Sequence, residues 1–254
     1  MPGSIDIAVV AVGGDLDVTR APRIRARIED LTARGCRRIL LNMAEVSYVD
    51  SAGLAMIFAE TRHVRQLGGL LSLMNVSPQV YHIMAVVRMA DFVPVSLAGP
   101  RPPVPALEAG THPLWRRTLR VDPRHMPNVR ARLGELLGEM RLTPDEVFDM
   151  TLAGGEALGN AIDHTSAEGV LMSVLSYPDR VVMEISDNGD GFDPKKLDRG
   201  EEALGSVSER GRGIPLMRLL ADSVEFTSKD DGTGTVVRLV KLTNAPGAAQ
   251  PQLG

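Results

Sequence analysis

Cysteine is all but missing: Cys36 is the one thiol in 254 residues. A lone thiol closes no internal disulfide and supplies no metal cluster, which fits a reducing compartment. No stretch reaches the roughly 18 consecutive apolar residues of a membrane span. The N-terminal run MPGSIDIAVV lacks the basic patch and long apolar core of a signal peptide. A soluble, cytoplasmic protein is expected. An excess of one charge is lacking too. There are 28 basic and 32 acidic side chains, a net charge of −4, and residues 1–98 hold ten of the basic and nine of the acidic groups. Neither part is polybasic, so charge gives no reason to expect nucleic acid as a partner. Lysine is scarce, four residues against 24 arginines, which reads as a trace of GC-rich coding DNA and marks no site. The hydrophobic share of 44% is enough to bury a core and excludes whole-chain disorder.

Proline, by contrast, is concentrated. Five prolines fall between Pro100 and Pro113, removing backbone donors and favouring extended, semi-rigid chain. Residues 98–113 therefore read as a linker between a domain at 4–97 and a domain at 114–243. The run 244–254, rich in Pro, Gly, Ala and Gln, reads as a disordered tail. Two domains suit this length at roughly 100–200 residues each.

The first part alternates strand and helix signals. Ile5–Val12, Arg38–Asn42 and Leu70–Met74 are strand-like, and Pro22–Ala33 places Ile24, Ile28 and Leu31 on one helical face. Asp50-Ser51 opens a helix to about Leu67, which Gly68-Gly69 stops, and Pro78–Val87 is a further helix. This is an α/β domain with a parallel or mixed sheet. In the second part Trp115–Val121, Gly169–Tyr177, Val181–Asp187 and Thr235–Leu242 are strand-like. Pro127–Met140, Pro144–Thr165 and Ile214–Ala221 are helical. A second layered α/β unit is expected.

Ser51 heads the run SAGLAMIFAETRHV. A hydroxyl there serves as an ordinary helix cap, and on physics alone that is the commoner role. The same position also welcomes a phosphate, because free N–H groups and the helix dipole favour negative charge. The neighbouring residues add information. Gly14-Asp15-Leu16-Asp17 followed by Val49-Asp50-Ser51-Ala52-Gly53-Leu54 resembles the STAS domain of bacterial anti-sigma factor antagonists, over about Ile5 to Val95. The resemblance implies that Ser51 is a phosphoacceptor. Ala52 stands where a second Ser or Thr is usual and Ala55 where Gly is usual; neither removes the acceptor. A phosphate would add roughly −1.5 to −2 charge and repel a partner without unfolding the domain.

Three segments of the second part carry chemistry together. Glu156 and Asn160, four apart in a helix, share a face with His164; a carboxylate and a carboxamide so placed can act as base and Mg²⁺ ligand, though such pairs are more often a solvated helix face. Asp187-Asn-Gly189-Asp-Gly191 follows an apolar strand. It is either an Asp/Gly turn or a place where Asp187 accepts from a purine amino group while the glycines admit a base. Gly211-Arg212-Gly213 opens a helix and can offer N–H groups to phosphate, without the third glycine of a dinucleotide fingerprint or the Gly-Lys-Ser/Thr of a Walker loop.

Their order, with Gly234-Thr235 last, resembles the GHKL ATPases, and GRGIPLMRLLADSVEF most resembles the anti-sigma factor serine kinases, over about Trp115 to Leu242. The resemblance implies a GHKL-type α/β sandwich that binds ATP and Mg²⁺. It makes Glu156 the general base and Asn160 the Mg²⁺ ligand. It sets Asp187, assisted by Thr235, on the adenine, Gly189 and Gly191 along the base pocket, and Gly211, Arg212 and Gly213 at the phosphates. His164 takes a structural role, and residues 194–210 form a lid.

Acceptor and kinase signatures in one chain imply a partner-switching regulator: an ATP-dependent serine kinase fused to an antagonist module, controlling a sigma factor. Its partners are a sigma factor or separate anti-sigma or STAS proteins, with no nucleic acid and no membrane; the kinase resemblance implies a homodimer. The alternative is a nucleotide-binding interaction module without catalysis. A histidine kinase is disfavoured, because His112 and His125 lie in no suitable helix. The remaining features are read as structural: methionines as core or interface filler, Cys36 as a buried residue or an inert surface thiol, and the arginines at 23, 25, 27, 34, 37 and 38 as a solvated face.

Overall fold

The computed structural model describes residues 7–122, 126–163, 165, 169–189, 213–228 and 234–243. The chain divides into two compact units, Met1–Pro100 and Arg101–Gly254.

In the first unit, strands β1 (Ile7–Ala11), β2 (Arg38–Asn42), β3 (Leu70–Val76) and β4 (Val95–Leu97) form one parallel sheet in that order. Helices α1 (Ala21–Ala33), α2 (Ser51–Gln66) and α3 (Pro78–Val86) connect them, because parallel neighbours need a crossover. Helix α1 buries Ile24, Ile28 and Leu31, the face its spacing specifies. Ser77 caps α3 through the Val80 N–H, with Pro78 at the first helical position where no donor is needed. Ile28, Ile39, Leu41, Met56, Ile57, Leu71, Leu73 and Met84 are fully buried, each contributing about 1.5–3 kcal/mol.

Two features differ from the expectation. The three-residue strand β4 is too short to show a period, and pairing with β3 alone defines it. Arg38 is not on a solvated face: it is buried, and its guanidinium donates to the Ile39 carbonyl and the Ser72 hydroxyl. Cys36 is buried and its thiol donates to the Arg38 carbonyl.

In the second unit, β5 (Trp115–Val121), β6 (Val170–Ser176), β7 (Arg180–Ser186), β8 (Ser223–Ser228) and β9 (Thr235–Leu242) form an antiparallel sheet ordered β5-β6-β7-β9-β8. Helices α4 (Met126–Gly138), α5 (Pro144–Asp163) and α6 (Gly213–Leu220) complete it. A reciprocal cap starts α5: Glu146 accepts from the Thr143 N–H at 2.8 Å, while the Thr143 hydroxyl accepts from the Glu146 N–H at 3.3 Å. Helix α5 then packs against α4, α6 and strands β6, β7 and β9. Its buried residues are mostly small, Ala153, Gly154, Gly155, Ala157 and Ala161, with Met150 and Leu158, so neighbours approach closely. Strand β8, unforeseen from its mostly polar sequence SVEFTS, is a sheet edge and largely exposed.

Leu175, Val182 and Val240 lie side by side across β6, β7 and β9. With Tyr177 they form a small core that Val104 and Leu107 cover. Residues 101–107 have no regular structure and still pack on the second unit: the Pro105 carbonyl accepts from buried Arg180 at 2.6 Å, and Arg101 donates to carbonyls at the end of α6. The proposed tail, 244–254, lies outside the described residues.

Candidate functional site

Ser51 is the first residue of α2 and is exposed. It does not cap the helix. Asp50 does, its Oδ1 accepting the Gly53 N–H at 2.8 Å and its Oδ2 the Val18 N–H at 3.0 Å. Among the described residues the Ser51 hydroxyl has no hydrogen-bond partner. One carboxylate thus does the capping and ties the preceding loop, leaving the hydroxyl free for chemistry.

The loop beneath is held in the same manner. Asp15 Oδ1 accepts from the Ser47 hydroxyl and from the backbone of Ser47 and Tyr48, at 2.8–3.1 Å. These donors, the Ser47 hydroxyl foremost, hold the Asp15 carboxyl below the usual range. Leu16 bridges Val49 in parallel, and a Cβ at Gly53 would run into the Leu16 carbonyl oxygen. The glycine of the Asp-Ser-x-Gly motif is therefore a packing requirement of the loop that presents Ser51. Val18 and Tyr48, 65% and 52% exposed, belong to the same two loops.

In the second unit, Glu156 and Asn160 lie one turn apart on α5 and are half-buried. The structure brings both to Gly213 at the start of α6: a Cβ there would stand 3.0 Å from Asn160 Nδ2 and 3.3 Å from Glu156 Oε2. Gly213, the described residue of the third predicted segment, thus meets the first. Arg130 of α4 lies across Gly155, where a Cβ would be 2.8 Å from its Nε, next to Glu156. No sequence signal marked Arg130.

Asp187 follows β7 and is buried. Its Oδ1 accepts from the Gly189 N–H at 2.9 Å and the Thr235 N–H at 3.1 Å, and its own N–H donates to the Thr235 carbonyl at 3.0 Å. Asp187, Gly189 and Thr235 are thus brought together. Gly234 is needed for this closure: its φ is +87°, and a Cβ would meet the Asp187 carbonyl oxygen. Among the described residues Asp187 Oδ2 has no donor, so one oxygen of this carboxylate is left to receive one. Gly191, Gly211, Arg212, His164 and the lid at 194–210 lie outside the described residues. Among the described residues no three His, Cys, Asp or Glu side chains cluster to hold a metal, and no helix is long and apolar enough to cross a membrane.

Comparison with known proteins finds a match in each unit. Residues 1–98 match the STAS domain, and residues 119–241 match the histidine kinase-like ATPase domain. The chain is 30% identical over 133 residues to the serine-protein kinase RsbW of Bacillus subtilis (strain 168), an alignment covering 48% of this chain and 81% of that one. It is 32% identical over 125 residues to the RsbW of Halalkalibacterium halodurans, covering 45% and 74%. Its first unit is similar to the anti-sigma-B factor antagonist of Bacillus subtilis, 29% identical over 87 residues, 34% of this chain and 79% of that one. Through its second unit the chain therefore belongs to the RsbW family of histidine kinase-like ATPase domains, and its residues 1–98 match a STAS domain.

Proposed function

We propose that the protein is a partner-switching regulator of sigma factor activity in which the second unit, an ATP-dependent protein serine kinase, phosphorylates a STAS serine. The observation that carries this reading is the coexistence of an exposed, unbonded hydroxyl at Ser51 with the convergence of Glu156, Asn160 and Gly213.

The residues present fit a magnesium nucleotide. Asp187, with Oδ2 open, is suited to an adenine amino group, and Thr235 and Gly189 support it. Gly213 at a helix start, with Gly211 and Arg212 before it, is suited to the phosphates. Asn160 would hold Mg²⁺ as an oxygen ligand, a fit to a cation that keeps several waters and phosphate oxygens rather than an all-protein cage. Bound ATP supplies the transferable phosphoryl group, and Mg²⁺ neutralises its oxygens. Glu156 takes the proton from the acceptor hydroxyl and must be ionised to do so. Gly213 keeps the space beside that carboxylate clear.

On the acceptor side, Asp50 holds the helix start so that the Ser51 hydroxyl projects, and α2 stabilises the added charge through its dipole. A phosphate on Ser51 makes that surface doubly anionic and repels a partner docked there. The partners are a sigma factor or separate anti-sigma and STAS proteins. Transfer occurs within one chain or between chains of a homodimer, in the cytoplasm.

The test is incubation of the purified chain with Mg-ATP, with and without a separate STAS protein, and mapping of phosphate by mass spectrometry. Label on Ser51 or on the separate acceptor supports kinase activity; label on neither refutes it.

A further inference from the structure

The nucleotide reading uses one end of α6 and leaves its other end unexplained. That end is held by Arg101, the first residue of the second unit. Its Nη1 donates to the carbonyls of Arg218 and Ala221 at 3.1 and 2.9 Å, and its Nη2 to that of Leu219 at 2.7 Å. The last carbonyls of a helix lack internal partners and carry the negative end of its dipole, so a guanidinium suits them in hydrogen bonding and in charge. Arg101 is anchored in turn: Val104 and Leu107 cover the Leu175, Tyr177, Val182 and Val240 core, and the Pro105 carbonyl takes a bond from Arg180. Asp179 orients that Arg180, with contacts of 2.6–3.1 Å to its Nε and Nη2. A second tie comes from the sheet, where Asp222 accepts from Lys241 and from the Leu242 N–H.

Helix α6 has eight residues, about 12 Å of stiff rod. Its first residue, Gly213, abuts Glu156 and Asn160. We propose that Arg101 is a positioning residue of the nucleotide site: by clamping the C-terminal end of α6 it sets how Gly213 meets Glu156 and Asn160, and thereby sets nucleotide affinity. This rests on the kinase reading for the identity of the ligand. The proline-rich segment is then a strap belonging to the ATPase unit. Its prolines restrict the backbone of 101–107, which lowers the entropy lost on docking.

The experiment compares the full chain with R101A and R101K. Amide hydrogen exchange without nucleotide reads the clamp, and calorimetric titration with Mg-ATP reads the site. In R101A, exchange over 213–221 accelerates and Mg-ATP affinity falls, each by roughly tenfold, the scale of a lost charge-assisted bond. Exchange in the first unit stays unchanged. R101K, which keeps charge and single donors but not the fork, restores part of both effects. A general rise in exchange with unaltered Mg-ATP affinity assigns Arg101 a merely structural role and overturns the inference. So does unaltered exchange over 213–221. If the unchanged chain itself fails to bind Mg-ATP, the kinase reading falls and the inference with it; if it binds and R101A binds equally, the inference alone is overturned.

Discussion

Asp50 Oδ1 accepts the Gly53 N–H at 2.8 Å, and with that bond Asp50 takes the capping role that Ser51 would otherwise fill. The two side chains are adjacent in sequence and have separate tasks: one secures the helix, the other remains available. This division predicts opposite consequences for two neighbouring substitutions. Asp50→Ala lowers unfolding stability by about 1–2 kcal/mol, the range for a lost cap, because the Val18 N–H loses its acceptor as well. Ser51→Ala changes stability by less than about 0.5 kcal/mol and abolishes phosphate incorporation on the first unit. Urea unfolding and phosphopeptide mapping separate them.

Glu156→Gln keeps the shape of the α5 face and removes the base. Phosphate transfer falls by roughly 10²–10⁴-fold, whereas Mg-ATP affinity measured by calorimetry stays within about threefold. Equal transfer by the variant would show that the carboxylate takes no proton and would favour a non-catalytic nucleotide module.

Asp187→Ala removes the acceptor that joins Gly189 and Thr235. Nucleotide affinity falls by roughly tenfold or more, or about 1.4 kcal/mol. Discrimination between adenine and guanine nucleotides falls with it, a readout that general loosening of the strand end would not produce.

Gly53→Ala places a methyl group against the Leu16 carbonyl. Overpacking of this kind costs about 1–3 kcal/mol. The expected result is a lower urea midpoint, with slower phosphorylation of Ser51 because the loop that presents it has shifted.

Carboxylates of the first unit act on stability with opposite signs. Donors from Ser47 and Tyr48 hold Asp15, and donors from Thr19 and Arg20 hold Asp17, below the usual carboxylate range. Their contribution is fully present above the ordinary Asp pKa of about 4 and is lost as pH falls through the lower folded values. Glu60 is the reverse. Burial pushes its carboxyl up, while Arg25, at 3.2 Å, pulls it down less strongly. Its ionisation therefore costs stability as pH rises from the ordinary Glu range through the raised folded value. Glu60→Gln flattens that loss, and Asp15→Asn flattens the acid limb. Urea midpoints from pH 3 to 8 check both directions.

Much of the architecture was legible because hydrophobic period is a local property. Arg38–Asn42, Trp115–Val121 and Thr235–Leu242 are strands with the predicted bounds, and Ile24, Ile28 and Leu31 form the buried face of α1 as their spacing requires. The edge strands β4 and β8 were not legible. One has three residues and the other a mostly polar run, and each is defined by its neighbour rather than by its own pattern. Arg38 likewise reads as a surface charge until Ser72, 34 positions away, supplies the acceptor that lets it be buried.

The candidate sites divide along the same line. Residue type and order, through the family resemblance they carry, singled out the groups proposed to carry chemistry: a serine after Asp50, a carboxylate and a carboxamide one helical turn apart, and an aspartate at a strand end. Long-range contacts settled the rest. They brought Gly213 to Glu156 and Asn160, closed Asp187 onto Thr235, and seated Arg101 on the end of α6, whereas the cap by Asp50 is a local bond to Gly53. The three long-range contacts join residues 48 to 120 positions apart. Chain separation of that size leaves no periodic trace, since the partners become neighbours only when sheet and helices pack.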